Sequence, residues 1–341
     1  MPLEREEYVS PQPLLDLITG KWRSQAVCVA AELGVADVLK DGPRSTREIA
    51  RAIDASEDAV YRLLRALASV GLFASWPERS FALTALGQYL RSDVPGSLRG
   101  FARFAGHDVT WRPWGQLAYC IKSGRPGVDR VFGVGIFDYM KDRPDVAGVL
   151  NDGMTAVSAA QAAAVVDAYK FSGIDTLVDV GGGHGVLLAR IANAYPSMRG
   201  TLFELPHAVE GARRLLQDEG LGDRCRVVEG DFFDAIPSGS DAYIMKHVVH
   251  DWNDERALHI LRNCHRAMRP GGTLLVMDRV IAPGDAADPN KFVDLEMLVL
   301  THGGRERTQL EFQGLLDQAG FDLVRVVPTR GPISVIEGTR R

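Results

Sequence analysis

The sequence predicts an α/β chain, with a doubly wound parallel sheet in its C-terminal half and a mostly helical N-terminal half that includes a winged helix. Three observations carry this. After Phe171, apolar runs of strand length alternate with amphipathic helical segments, as in a parallel sheet covered on both faces. Before Phe171, apolar residues recur at helical spacing behind capping residues. At residues 72–83, two short apolar runs flank a polar turn containing Pro77, the pattern of a β-ribbon.

The elements follow in order. Residues 14–33 read as one helix, through Leu14, Leu17, Ile18, Val27, Ala30 and Ala31, with Gly34 as its stop. Ser45 and Glu48 fit a capping box that opens a short helix to Ile53. Ser56 should cap the next helix, whose face is Val60, Leu63, Leu64, Leu67 and Val70, ended by Gly71. Helix, helix, ribbon is the order of a winged helix. DNA recognition is one reading of it, but Glu57 and Asp58 accompany Arg62 and Arg65, and the broad apolar face favours packing. Residues 98–165 are also helical and rich in aromatics, including Phe132, Phe137 and Tyr139, and the Ala-rich stretch 154–168 leads into the second domain. Strands are expected at 176–180, 200–203, 226–229, 242–245 and 273–277, with helices at 186–194, 208–219, 254–268 and 309–319. Runs at 321–327 and 333–337 would add an antiparallel edge. The expected domains are 1–97 (winged helix), 98–170 (helical connection and pocket segment) and 171–341 (α/β domain).

Composition narrows the function. Lys plus Arg number 39 against 44 Asp plus Glu, so the net charge of −5 argues against a general nucleic-acid binder, which neutralises phosphates with basic residues. Residues 1–165 carry 19 basic and 19 acidic side chains, leaving 20 and 25 for the remainder, so the winged-helix half has no basic excess. Apolar runs fall well short of the ~18 residues needed to span a bilayer, so no membrane is expected. The start, MPLEREE, lacks a signal-peptide pattern, and four scattered cysteines without a CxxC pair fit a reduced cytoplasmic compartment.

The most informative segment is LVDVGGGHG at 177–185, in the first βα turn, where ligands of such sheets bind. A dinucleotide fingerprint begun at Gly181 and Gly183 needs a third glycine at position 186, which is Val186; the glycine stands instead at Gly185. The resulting Asp179-x-Gly181-x-Gly183-x-Gly185 resembles the first motif of S-adenosylmethionine (SAM) methyltransferases. Glu204 ends the second strand, where a carboxylate can accept hydrogen bonds from a ribose diol. Gly230, Asp231 and Phe232 follow the third strand, offering a polar partner and an apolar wall to adenine. After the fourth strand, KHVVHDW at 246–252 places His250 at the same crevice edge, and histidine is the side chain suited to accepting a proton near neutral pH.

The ordered series DVGGGHG, FELP, GDFF, KHVVHDW, DLEML and GGRERT resembles the small-molecule O-methyltransferases typified by caffeate O-methyltransferase, which include bacterial tailoring enzymes of antibiotic and pigment synthesis. The resemblance spans nearly the whole chain. It implies a class I methyltransferase Rossmann-like domain behind a winged-helix domain that makes a homodimer. It also implies SAM as cofactor, S-adenosylhomocysteine (SAH) as product, and a small aromatic hydroxyl compound as acceptor. Carried over by residue, it makes His250 the general base, flanked by Asp278 and Glu306, with Lys246 and Trp252 at the cofactor. Asp278 departs from the family's usual Glu. Met154, Met297 and Thr301 match acceptor-pocket positions, and Phe104, His107 and Trp111 are further candidates, each with core filling as its alternative. His247 and His250 stand at i and i+3, yet the carboxylate cluster of magnesium-dependent catechol methyltransferases is absent, so no metal is expected. Two rival functions are non-methylating chemistry on a retained SAM site (hydroxylase, decarboxylase or pericyclase) and a ligand-responsive winged-helix DNA-binding regulator.

Overall fold

A computed structural model describes residues 10–141, 143–206 and 208–341; Met1 through Glu7, and the side chains of Phe137, Asn151 and Asp152 among the motif residues, lie outside the described residues. The chain divides into two compact units, one running to Asp108 and including Gly148–Ala156, the other comprising Val109–Ala147 and Val157–Arg341.

The first unit holds α1 (Gln12–Ile18), α2 (Gly20–Glu32), α3 (Val35–Val38), β1 (Arg44–Ser45), α4 (Thr46–Ala52), α5 (Glu57–Ala68), β2 (Phe73–Trp76), β3 (Ser80–Leu83) and α6 (Arg99–Gly106). The helix expected over 14–33 is two helices. Thr19 ends the first by turning its hydroxyl back onto the Leu15 carbonyl at 2.8 Å. Gly34, at φ +66°, leads straight into α3. The capping box of Ser45 and Glu48 forms in full. Ser56 occupies the N-cap of α5, but its side chain makes no capping hydrogen bond. On α5, Val60, Leu64 and Leu67 are buried in one cluster with Phe73 and Phe81 of the ribbon, whereas Val70, beyond the helix end, is exposed. The ribbon gains β1 as a third strand, in the order β1-β3-β2.

Helices α7 (Asp108–Trp114), α8 (Leu117–Ser123), α9 (Gly127–Phe132) and α10 (Ile136–Lys141) come next, then α11 (Pro144–Ala168), which begins ten residues before the expected Ala-rich stretch. The second unit is built on β4 (Thr176–Val180), α12 (Val186–Ala194), β5 (Arg199–Glu204), α13 (Val209–Asp218), β6 (Cys225–Glu229), β7 (Ala242–Lys246), α14 (Asp254–Ala267), β8 (Thr273–Asp278), α15 (Asn290–Leu300), α16 (Gln309–Ala319), β9 (Phe321–Pro328) and β10 (Ser334–Arg340). Its seven strands run β6-β5-β4-β7-β8-β10-β9, with β4 to β8 parallel.

Along β4 the strand alternation sends Leu177 into one core layer and Val178 and Val180 into the other. Both faces are therefore covered, which explains the unbroken apolar runs. The antiparallel pair at the C-terminus differs from a simple edge. β10 inserts between β8 and β9, paired antiparallel to both, and only β9 is the edge. The chain leaves β4 toward β5 and β6, then returns to place β7 on the other side of β4. This reversal opens a crevice beyond the C-terminal end of β4, the general ligand position of doubly wound sheets.

Candidate active site

The turn after β4 is shaped by its glycines. Gly181, Gly183 and Gly185 all have positive φ, at +68°, +58° and +82°, a region costly for residues with a Cβ. At Gly183 an added Cβ would meet no atom within 4 Å, so this part of the turn faces open space. Gly185 then starts α12. Glu204, at the tip of β5, accepts the Gly183 N–H at 2.8 Å through Oε2 and the Leu205 N–H at 2.7 Å through Oε1. Each oxygen keeps a lone pair for a ligand hydroxyl.

Beyond β6, Asp231 accepts the Phe233 N–H at 2.8 Å, which fixes a turn presenting Phe232 and Phe233. Their rings meet Trp252 edge-on at 6.3 and 4.9 Å, and Arg256 lies 4.3 Å over Phe233. Gly230 packs against Phe203, leaving no room for a side chain. Beneath the glycine turn, Asp179 is buried with neither carboxylate oxygen hydrogen-bonded. Burial raises its pKa to about 7 against the pull of Lys246. Burial likewise pushes Lys246 down to about 8, opposed by Asp179 and Asp278. Its ammonium donates to the Ser158 hydroxyl at 2.9 Å.

His250 sits on a single 3₁₀ turn after β7, Val249–Asp251, and is 7% exposed. Its Nδ1 lies 2.9 Å from Glu306 Oε1, and its Nε2 lies 3.5 Å from Asp251 Oδ1. Burial opposes charge on this ring, but Asp251, Asp278 and Glu306 together overcome it and raise the pKa to about 9. Glu306 is held in turn, its N–H donating to Asp294 Oδ1 at 2.9 Å and its carboxylate 3.7 Å from Arg279.

Asp278 stands in one cluster with His247 and His250, a donor atom of each within 4.8 Å of the others. It is fully buried at the end of β8 and makes no hydrogen bond to His250; its Oδ1 faces His247 Nδ1 at 3.6 Å. One methylene shorter than the usual Glu, it acts on His250 through charge alone. Burial lifts its pKa to about 7, with the His250 cation pulling the other way.

Two residues at this site escaped the sequence reading. His247, read only as half of a histidine pair, has φ +56°, a conformation uncommon for residues with a Cβ. Arg307, 1% exposed, donates to the carbonyls of Val249 (3.1 Å) and Trp252 (2.9 Å) and to Asp254 (2.8 Å). It clamps the turn that carries His250. Arg305 adds its N–H to the His250 carbonyl at 2.8 Å, and Gly304 lets that approach happen, since a Cβ there would sit 2.7 Å from the same carbonyl. The signal for Arg307 was its position beside Glu306 in GGRERT.

The pocket candidates fall in both units, some in each. Phe104 is buried in the first unit, where Gly153 of α11 packs on it, and His107 caps the end of α6. Met154 belongs to the same unit and is half-buried. Trp111 and Met297 are half-buried in the second unit. The Thr301 hydroxyl donates to the Met297 carbonyl at 2.7 Å and accepts from the Gly304 N–H at 3.0 Å, so it ties off α15. Next to Met297, Glu296 accepts from the Trp114 indole, and burial raises its pKa.

A glycine turn in the crevice of a parallel sheet, a carboxylate at the next strand end and a buried histidine–glutamate pair make up the site of a nucleotide-cofactor enzyme. The family model described as O-methyltransferase domain matches residues 114–322, and the O-methyltransferase dimerisation domain matches 15–93. The chain belongs to the O-methyltransferase family and is a SAM-dependent O-methyltransferase. It is 40% identical to a phenazine O-methyltransferase of Lysobacter antibioticus, over 95% of this chain and 94% of that one. It is 41% identical to the mitomycin biosynthesis 6-O-methyltransferase of Streptomyces lavendulae, over 94% and 92%. The SAH-bound structure of CalO1, a methyltransferase in calicheamicin biosynthesis, superposes with a TM-score of 0.87 at 34% identity, covering 98% of this chain and all of that one. Other relatives methylate nitrogen, among them the phenazine-1-carboxylate N-methyltransferase of Pseudomonas aeruginosa, 31% identical over 92% of each chain.

The open turn at Gly183 and the half-used Glu204 carboxylate fit this cofactor. Gly183→Val therefore fills cofactor space. The left-handed backbone costs about 1–2 kcal/mol of stability. Affinity for SAH should fall roughly tenfold or more, since ~1.4 kcal/mol of lost contact suffices for that. Calorimetric titration of the folded variant checks this, and unchanged affinity would place the cofactor elsewhere.

Proposed function

We propose that the enzyme methylates a phenolic or polyketide-like hydroxyl of a small aromatic metabolite, with His250 as the general base. The observation that carries this is the buried His250 Nδ1–Glu306 pair at 2.9 Å. Glu306 accepts the Nδ1 proton, which leaves Nε2 with the lone pair that receives the acceptor's proton. The surrounding carboxylates favour the cationic ring, so a proton taken from a phenolic hydroxyl is held there once it transfers. When bound, SAM supplies a methyl group activated by the positive charge on its sulfur. The acceptor oxygen takes that methyl as the S–CH₃ bond breaks, its proton passes to His250, and the products are a methyl ether and SAH. The chain's own contribution is to align the oxygen, exclude water and hold the proton.

The same pair favours oxygen over nitrogen. An aromatic ring nitrogen attacks with a lone pair already in place, whereas a hydroxyl requires a base. We further propose a homodimer formed through the first unit and acting in the cytoplasm, with Met297 contributing to the acceptor pocket. Supporting the dimer, Leu14, Leu17, Ile18 and Trp22 are 61%, 76%, 62% and 67% exposed on α1 and α2, more apolar surface than isolated helices normally leave in water. The four cysteines are all free and buried, as a reducing compartment permits. Among the described residues no helix is long and apolar enough to cross a membrane.

The test is transfer of labelled methyl from SAM to a panel of phenols, hydroxyquinones and matched aromatic amines. Preference for the hydroxyl acceptors is expected. Transfer to the amines alone, or turnover of acceptors without methylation, would overturn the reading.

A further inference from the structure

His247 and His250 each have one ring nitrogen held by an oxygen acceptor. His247 Nε2 lies 2.8 Å from Gln161 Oε1, and His250 Nδ1 lies 2.9 Å from Glu306 Oε1. Of their other nitrogens, His247 Nδ1 faces Asp278 Oδ1 at 3.6 Å, and His250 Nε2 lies 3.5 Å from Asp251 Oδ1. The three side chains bring one donor atom each to within 4.8 Å of one another. His247 Nδ1 and both Asp278 oxygens are buried with no hydrogen-bond partner, a costly state for polar atoms unless a ligand meets them. The positive φ of His247 is part of how its ring is directed into the cluster.

We propose that His247 Nδ1, His250 Nε2 and Asp278 form a binding site for a zinc-class divalent ion, and that filling it switches methyl transfer off. Two imidazoles and a carboxylate suit zinc and its neighbours rather than magnesium, which prefers oxygen ligands. Holding the far nitrogen of each histidine with an oxygen acceptor is the arrangement that orients histidine ligands on metals. Donors on one tetrahedral zinc stand about 3.4 Å apart at bond lengths of about 2.1 Å. The His247 Nδ1–Asp278 Oδ1 separation is already 3.6 Å. A spacing of 4.8 Å must contract by about 1.4 Å to reach that geometry, and the Asp278 carboxylate, which makes no hydrogen bond, is free to adjust. Asp251 and Glu306 add negative charge around the ion, while Lys246 and Arg279 oppose it. Metal on Nε2 occupies the lone pair that the acceptor's proton would use, so the inhibitory half of the proposal rests on His250 being the base.

The experiment keeps the two halves apart. Metal-stripped, tag-free enzyme is titrated with zinc against a chromophoric chelator, with magnesium in parallel, for the parent, Asp278→Asn and Gln161→Leu. SAH binding confirms that each variant is folded. The parent should take up a single zinc per chain and ignore magnesium, and both variants should bind zinc roughly tenfold or more weakly. No uptake by the parent, or equal uptake by the variants, overturns the site. Methyl transfer is then followed at each zinc occupancy and should fall in proportion to it. Zinc lost from both variants but harmless to turnover in the parent would overturn the inhibition and the base assignment together. No zinc uptake alongside an inactive His250→Ala would overturn the site and leave the base standing.

Discussion

Replacing His250 with alanine is expected to lower kcat for methyl transfer about 10²–10⁴-fold, the usual worth of a positioned general base. Binding of SAH should stay near the parent value. The residues that fit the cofactor are Gly183 and Glu204, and they make hydrogen bonds to each other and to Leu205 rather than to His250. The fold should survive as well, because the turn is held by main-chain and Arg307 contacts and not by the imidazole. Removing the ring leaves Glu306 buried without its main partner, which costs stability but leaves Arg279 beside it. Single-turnover transfer to a phenolic acceptor, measured with SAH titration on the same sample, checks this. Turnover within a few-fold of the parent would take the base role away from His250. Glu306→Gln keeps an oxygen acceptor for Nδ1 but loses the charge, so a smaller fall in the same rate is expected.

Arg307→Met should produce the largest loss of stability and a second fall in kcat. The guanidinium is buried and satisfies the Val249 and Trp252 carbonyls on either side of His250. Methionine preserves much of the volume and none of the donors, so each carbonyl loses a charge-assisted bond worth about 1–3 kcal/mol when left unmet. The ion pair with Asp254 adds little, because that carboxylate is 58% exposed and keeps its water. A net loss of about 3 kcal/mol is expected from the two carbonyls. The His250 turn, loosened at both ends, should then transfer methyl more slowly even where the protein is fully folded. Denaturant titration gives the first quantity, and kcat at saturating cofactor the second. Unchanged midpoint and unchanged kcat would reduce Arg307 to a bystander. Arg307→Lys should fall between, since one ammonium cannot reach both carbonyls and Asp254 in the planar geometry that arginine supplies.

Much of the architecture was legible before any coordinates. The strands at 176–180 and helices at 186–194 and 309–319 appear with the expected limits. Their signals are local: an unbroken apolar run, a 3.6-residue period and a capping box at Thr308 and Glu311. The misreadings have local causes too. Residues 14–33 carry apolar spacing on both sides of Thr19, and periodicity does not register a break in which a threonine hydroxyl closes one helix and Gly20 opens the next. α15 lies where the DLEML motif stands, and the helical period there is masked by its acidic residues, Asp294 and Glu296.

What the sequence by itself determined is therefore the ladder of strands and helices, the glycine turn and the set of polar residues at successive strand ends. These follow from backbone preferences and side-chain periods that act within a few residues. Only the tertiary structure decided which partners those residues find. It placed β10 inside the sheet, gave Glu306 to His250 across 56 residues, turned Asp278 toward His247, and set Arg307 against the turn that carries His250. Such pairings depend on strand order, on the length of one methylene and on a single positive φ. They are settled when separate segments pack against one another, and no local pattern carries that information.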